Sequence, residues 1–335
     1  MDGEADAHYG LSTLVISLDF ELHWGMFDKK SIDEYEEELL GVRQAVPRML
    51  ELFKTYGVHT TWATVGLLFF KSRDQLMAAL PSVVPQYTNR QLSAYRYIEE
   101  EVIGDDEKSD PFHFAPSLIN LIETYPYQEI GTHTFSHYYC LEPGQSIEAF
   151  QEDLNACTAI ATARGQALRS LVFPRNQCSI DYLPVCDSAG ILAYRGNQAS
   201  WLYKAKNELE ETIFRRVMRL VNAYIPISAP LSYSWEDLSA QSPIDVPASR
   251  FLRSYSKALD VLEPLRLQRI INEIKYAARH NHIYHLWWHP QDFGKDMNQN
   301  LSILEEILST YREMHHTHHM QSLNMGEVAN LVLTA

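Results

Sequence analysis

Short runs rich in β-branched and aromatic residues alternate with longer amphipathic stretches along most of the chain, and this alternation constrains the fold more than any other feature. Residues 13–19 (TLVISLD) read as a strand, and a polar loop then leads into a helical pattern over residues 32–56. Ser31, followed three residues later by Glu34, has the form of a capping box and starts that helix. Further strands are expected at 58–65, 129–132, 168–173, 191–194 and 283–288. Helices are expected at 67–80, 147–164, 265–279 and 301–312. Strands separated by helices of this length pair in parallel through helical crossovers. The pattern predicts an α/β fold with an N-terminal tail (1–12) and one barrel-like domain over 13–335. Loop insertions fall near 81–116 and 196–250, where selectivity for a substrate is expected to reside. No G-x-G-x-x-G follows the first strand and no Walker-type loop occurs, so an irregular (β/α) barrel is favoured over a dinucleotide-binding sheet.

The unusual polar residues fall at one place in that pattern. Asp19, His133, Pro174 with Arg175, and His289 each lie just beyond the end of an expected strand, which in (β/α) barrels is the face that carries active sites. Alternation along the first strand puts Asp19 and Glu21 on one side, and two carboxylates held together call for a cation or a shared proton. His133 and His137 are spaced H-x-x-x-H, which can bring two neutral imidazoles to one metal ion. Two histidines and one carboxylate form a standard hydrolytic zinc set that also suits other divalent ions, and a second carboxylate is then free to act as general base. In His285-Leu286-Trp287-Trp288-His289, alternation places Trp287 and His289 together, with His289 at the mouth as general acid to a departing amine. Arg175 could orient the catalytic carboxylate or a substrate group by forked hydrogen bonds. Trp201, Trp235 and Tyr233 in the second insertion, with Trp287, are candidates to stack on a sugar ring, although large aromatics more often fill cores. The cluster His315-His316-Thr317-His318-His319 has no carboxylate set beside it in sequence and reads as an exposed helix end that binds metal adventitiously.

Bulk properties narrow the partners. A formal net charge of -15 opposes a surface that tracks phosphates, so nucleic acid is set aside. The four cysteines, Cys140, Cys157, Cys178 and Cys186, have no C-x-x-C spacing and are expected to be reduced and buried. The first residues, MDGEADAHYG, are acidic where a signal peptide is basic, and no apolar run is long enough for stable membrane insertion, so a cytoplasmic location is expected.

Taken together, the blocks resemble the polysaccharide deacetylase superfamily (carbohydrate esterase family 4, the NodB-homology domain) from the first strand to about Gly294. His133-Thr134-Phe135-Ser136-His137 fits the family's His-Ser/Thr-x-x-His motif, and Leu286-Trp287-Trp288-His289 fits its Leu-x-Leu-His block. The family's opening Thr-Phe-Asp-Asp-Gly block departs here, with Phe20 at the second Asp and the acid reappearing as Glu21, as in a branch with an Asp-x-Glu first motif. Pro174-Arg175-Asn176 is a looser match to the third motif, which places an Arg before an aromatic-Gly pair. The resemblance implies an irregular (β/α)7 barrel, Asp19 as general base, Glu21, His133 and His137 as ligands of a divalent ion such as Zn2+, and His289 as general acid. The implied reaction is hydrolysis of the N-acetyl amide of a sugar-containing substrate, an acetylated glycan or glycan precursor. Two competing readings are a metal-independent glycosidase using Asp19 and Glu21, and a non-catalytic glycan-binding protein on the same scaffold. The first leaves the histidine pair unexplained, and the second has no need of an acid and a base.

Overall fold

A computed structural model of the chain describes residues 9–101, 103–198, 206–207, 210, 212–224 and 231–335. β1 (Thr13–Phe20) is buried over its whole length, as a central strand covered on both faces must be. It pairs in parallel with β2 (Thr60–Thr64) on one side and β8 (Ile283–Trp288) on the other. β3 (Gln128–Thr132), β4 (Ser170–Leu171) and β5 (Ala193–Tyr194) extend the sheet beyond β2, and β6 (Ile244–Asp245) follows β5. β7 (Arg250–Phe251) lies at the far edge beside β8. Every pairing is parallel.

The two ends of this strand order belong to one stretch of chain. The amides of Ile244, Val246 and Ala248 donate to the carbonyls of Leu192, Tyr194 and Gly196, and those of Ser249 and Leu252 donate to His285 and Trp287. Residues 244–252 therefore lean first on β5 and then on β8. Counted as one stave, they close a seven-stave ring, in agreement with the (β/α)7 expectation.

Helix Ile32–Tyr56 forms as expected, with both reciprocal bonds of the Ser31/Glu34 capping box and Gly57 in the left-handed conformation at its end. Its buried residues Tyr35, Leu39, Val42, Val46, Met49, Leu50 and Phe53 recur at three- and four-residue spacing and pack against the outer face of the sheet. Each such side chain contributes about 1.5–3 kcal/mol by leaving water. Gly41 of this helix meets Gly294 backbone to backbone: a Cβ on Gly41 would lie 2.2 Å from the Gly294 carbonyl oxygen. That close approach seats the turn after β8, which carries His289 at its start. Inside the barrel, Val15, Ala63, Val172, Ala193, Val246 and Ile283 form a second apolar cluster with Met325, Val328 and Ala329 of the C-terminal helix Met325–Thr334. That helix and β9 (Gln321–Leu323), which pairs with the start of β1, plug the end of the barrel opposite the mouth.

Three expectations change. Residues 67–80 are not one helix but a 3-10 turn (Gly66–Phe69) and a short helix (Arg73–Ala78), because Ser72 caps a new start. The insertions contain helices of their own, Ala94–Glu100 and Ile213–Tyr224. Trp235 is barrel core, its indole N–H bonded to the Leu11 carbonyl at 2.7 Å, and is not available to a sugar. Trp201 lies outside the described residues.

Candidate active site

The last inward-facing residue of each of several strands points into the mouth. β1 supplies Asp19 and, one step past its end, Glu21; the chain leaving β3 supplies His133 and His137; the chain leaving β8 supplies His289. Glu21 Oε2 is 3.0 Å from His137 Nε2 and 3.3 Å from His133 Nε2. Among the described residues this is the only group of three or more metal-type donors that converge on one point. His315, His316, His318 and His319 form no such group.

The partners of the two rings turn both Nε2 atoms toward that point. His133 Nδ1 donates to the Val172 carbonyl at 2.8 Å, so a neutral ring turns the Nε2 lone pair toward Glu21. A lone pair and a carboxylate oxygen facing each other in a buried site repel unless a cation or proton lies between them. His137 Nδ1 is held by the Tyr139 hydroxyl at 3.0 Å, which likewise directs Nε2 inward. Burial, followed by His133 and Arg175 nearby, lowers the pKa of His137 despite Glu21, which keeps the ring neutral as a ligand must be. Burial would raise the pKa of Glu21, but the charge of His289 and the bonds from His133 and His137 pull it well below the usual carboxylate range. The donor set, two imidazole nitrogens and one carboxylate oxygen, fits a divalent ion with open positions for water and substrate.

Local backbone geometry makes the convergence possible. Thr134 and His137 both adopt left-handed φ values, 62° and 59°, unusual for residues with side chains and concentrated here around the donors. Thr134 Oγ1 accepts from the Tyr138 amide at 2.7 Å and closes the turn. Asp153, fully buried on helix Ile147–Ala163, accepts from the amides of Phe135 (2.6 Å) and Ser136 (3.1 Å) and from the Ser136 hydroxyl. Glu21 lies directly over Gly25, where an added Cβ would fall 2.0 Å from the carboxyl carbon. Gly25→Ala should therefore displace Glu21 and weaken metal binding at least about tenfold while the barrel still folds, since no buried apolar contact is removed. Isothermal titration with Zn2+ reads this, and an affinity equal to the parent's would show that Glu21 does not need that space.

Asp19 stands beside this group with a different partner. Arg195, one residue past β5, donates to both its carboxylate oxygens at 2.7 Å. Arg195 also donates to Ser17 Oγ and Asn176 Oδ1 at 3.0 Å each, and lies 4.0 Å over the Trp287 ring. Below it, His285 Nε2 is 2.8 Å from Ser17 Oγ and its Nδ1 is 3.1 Å from the Val246 carbonyl; burial and then Arg195 push its pKa down to about 3. Burial would raise the pKa of Asp19; the charge and bonds of Arg195, with His133 and His289, outweigh it and hold the group ionised.

The forked bonds assigned to Arg175 from sequence are thus made by Arg195. Arg175, with φ 53°, instead bonds Asp28 at 2.5 Å and lies 4.4 Å from the Tyr139 ring centre, so it braces the support of His137. Arg195 was open to the criterion that picked out the others, since it directly follows the strand 191–194. His289 Nε2 sits 3.7 Å from Glu21 Oε1 and 3.9 Å from Asp19 Oδ2, and its imidazole is 26% exposed. Its Nδ1 bonds Asp292 at 3.2 Å, and Tyr35 donates to the other Asp292 oxygen at 2.6 Å. Burial alone would lower its pKa, but Glu21, the bond and charge of Asp292, and Asp19 raise it to about 10 and keep an imidazolium. Trp287 is half-buried at the mouth, 4.5 Å from the Phe251 ring and 5.7 Å from His289.

No protein-family profile matches the sequence, and no curated protein matches it. By structure it is similar to a protein assigned as a polysaccharide deacetylase from Mycobacterium smegmatis, with TM-score 0.61 and 12% identity over 97% of this chain and 91% of that one. It is also similar to one so assigned from Pseudomonas aeruginosa PAO1 (TM-score 0.55, 12% identity, 96% and 91% covered). A third is the PuuE allantoinase (TM-score 0.55, 10% identity, 96% and 90% covered). At these identities the likeness shows the fold, and function rests on the site.

Proposed function

We propose that this chain, which has the fold of the polysaccharide deacetylases, is a metal-dependent hydrolase that removes an acyl group, N-acetyl in the first instance, from a sugar-containing substrate. The observation that carries this reading is the convergence of Glu21, His133 and His137 beside Asp19, which is held by Arg195, and His289, which is held by Asp292. A divalent ion held by the three donors would supply Lewis acidity to the acyl oxygen and acidify a water.

The remaining steps belong to the protein's own groups. Asp19, kept ionised by Arg195, takes a proton from the attacking water. Its orientation is fixed by two bonds to one rigid guanidinium, which leaves each oxygen a lone pair for that proton. His289, already protonated and locked by Asp292, gives a proton to the departing nitrogen as the carbon–nitrogen bond breaks. Water is thereby divided between a carboxylic acid and an amine, and the cycle closes when Asp19 releases its proton to solvent and His289 takes one up. Trp287, with Phe251 beside it, offers an apolar wall to the small alkyl part of the acyl group.

The glycosidase reading requires one carboxyl group to remain protonated as an acid. Both Asp19 and Glu21 are instead held below their ordinary values by cationic or hydrogen-bonding partners, which weighs against it. A binding module needs neither the proton acceptor nor the locked proton donor. Among the described residues no helix is long and apolar enough to cross a membrane. An acetylated sugar precursor in the cytoplasm is the substrate class first to be tried.

The test is acetate release from N-acetylated amino sugars and oligosaccharides by the zinc-loaded protein, the parent chain beside Asp19→Asn. We expect the variant to keep its metal and lose turnover about 10²–10⁴-fold, the usual worth of a general base. Equal turnover by the two proteins would remove Asp19 from the reaction, and release undiminished after chelation would remove the metal.

A further inference from the structure

The first insertion touches both segments that carry metal donors. On one side, the Tyr87 hydroxyl accepts from the Tyr139 amide at 2.8 Å, and Tyr139 is the residue whose own hydroxyl holds His137. The Tyr95 hydroxyl donates to Asp153 at 3.2 Å, and Asp153 collects the Phe135 and Ser136 amides between the two histidines. Backbone bonds from Gln86 to Gly144 and from Thr88 to Pro143 fasten the same stretch.

On the other side, the insertion grips the turn that follows Glu21. The His23 amide donates to the Phe112 carbonyl at 3.3 Å and the Trp24 indole donates to the His113 carbonyl at 3.0 Å. The rings of His23 and His113 are joined Nδ1 to Nε2 at 3.1 Å, and His113 Nδ1 reaches Asp110 at 2.8 Å. Glu21 and the histidine pair come from different strands, separated in the sheet by β2. Backbone bonds from Val65 to Phe20, from His133 to Thr64, and from Gly66 and Leu67 to Thr134 and Phe135 carry the sheet's pairing one step past the strands; the turn after Glu21 and residues 136–139 lie beyond those bonds and are reached by the insertion.

We propose that residues 81–113 act as a clamp that sets the metal affinity of the site by holding the Glu21 segment and the 133–139 segment at a fixed separation. This rests on the reading of Glu21, His133 and His137 as metal ligands. Tyr87, acting through Tyr139, and Tyr95, acting through Asp153, are positioning residues on one arm, and His113 on the other; none of them offers a donor to the ion. The physical basis is pre-organisation: a loop ordered before binding does not charge its ordering cost to the ligand.

The experiment is Co2+ binding by the full chain, with affinity from competition against a chromophoric chelator and geometry from the visible absorption of the bound ion. Tyr87→Phe/Tyr95→Phe removes two hydroxyls and no apolar contact. We expect its Co2+ affinity to fall about 10- to 100-fold, as two hydrogen bonds of ordinary net worth imply, with a changed cobalt spectrum and an unchanged far-ultraviolet circular dichroism. His113→Gln, on the opposite arm, should weaken binding independently by about tenfold, and it stands as the second reading should the tyrosine variant fold poorly. Folded variants that bind Co2+ within twofold of the parent, with the parent's spectrum, overturn the clamp and leave the metal site intact. A parent protein that takes up no Co2+ overturns the metal reading and the clamp together.

Discussion

Arg195→Ala lowers stability by about 3–5 kcal/mol at neutral pH, the cost of leaving a buried charge without its partner. The Arg195 side chain is 0% exposed and that of Asp19 4% exposed, so water cannot replace the lost guanidinium. The pH dependence has a definite sign. In the parent the folded pKa of Asp19 lies below its unfolded value, so its contribution is full above about pH 4 and is lost as the pH falls through the folded value. In the variant the largest influence on Asp19, burial, no longer meets the main opposing charge, and the carboxyl becomes easier to protonate. The variant therefore recovers on acidification while the parent's Asp19 contribution stays full down to about pH 4, and the difference between them narrows from pH 7 to pH 4. Urea unfolding at the two values measures this. A difference below about 1 kcal/mol at pH 7, or one independent of pH, would mean that the pair does not carry the weight assigned to it.

Much of the architecture was legible because it was written in local patterns. The capping box at Ser31 and Glu34 marked the longest helix to the residue, and the apolar run of β1 marked the central strand. Asp19, His133 and His289 were found by their position at strand ends, a rule that depends on barrel geometry and not on neighbours in sequence. What escaped was set by long-range partners or by very short elements. β6 and β7 have two residues each, too few to display a period, yet they complete the ring. Arg195 went unnoticed for a related reason: it and Asp19 are 176 residues apart in sequence, and nothing near either one names the other. Arg175 had the more conspicuous setting after a proline, but its backbone turns it toward Asp28. Two tyrosines of the first insertion reach inward, Tyr87 to the Tyr139 amide and Tyr95 to Asp153, contacts invisible in the sequence because the partners are more than fifty residues away.

The pair His133→Ala/His137→Ala carries the other large expected effect. Removing both imidazoles leaves Glu21 as the single donor from the converging group, and one carboxylate does not hold a divalent ion against water and buffer. The binding energy of a site with two imidazoles and a carboxylate is also folding energy, so the parent should gain thermal stability with added Zn2+ and the variant should not. The most direct measurement is elemental analysis of the purified parent and of this double variant, before and after dialysis against Zn2+. The account predicts about one tightly held ion per chain in the parent and none in the variant, with both proteins folded. A parent that is metal-free and takes up no added ion, or a double variant that holds as much as the parent, would contradict it.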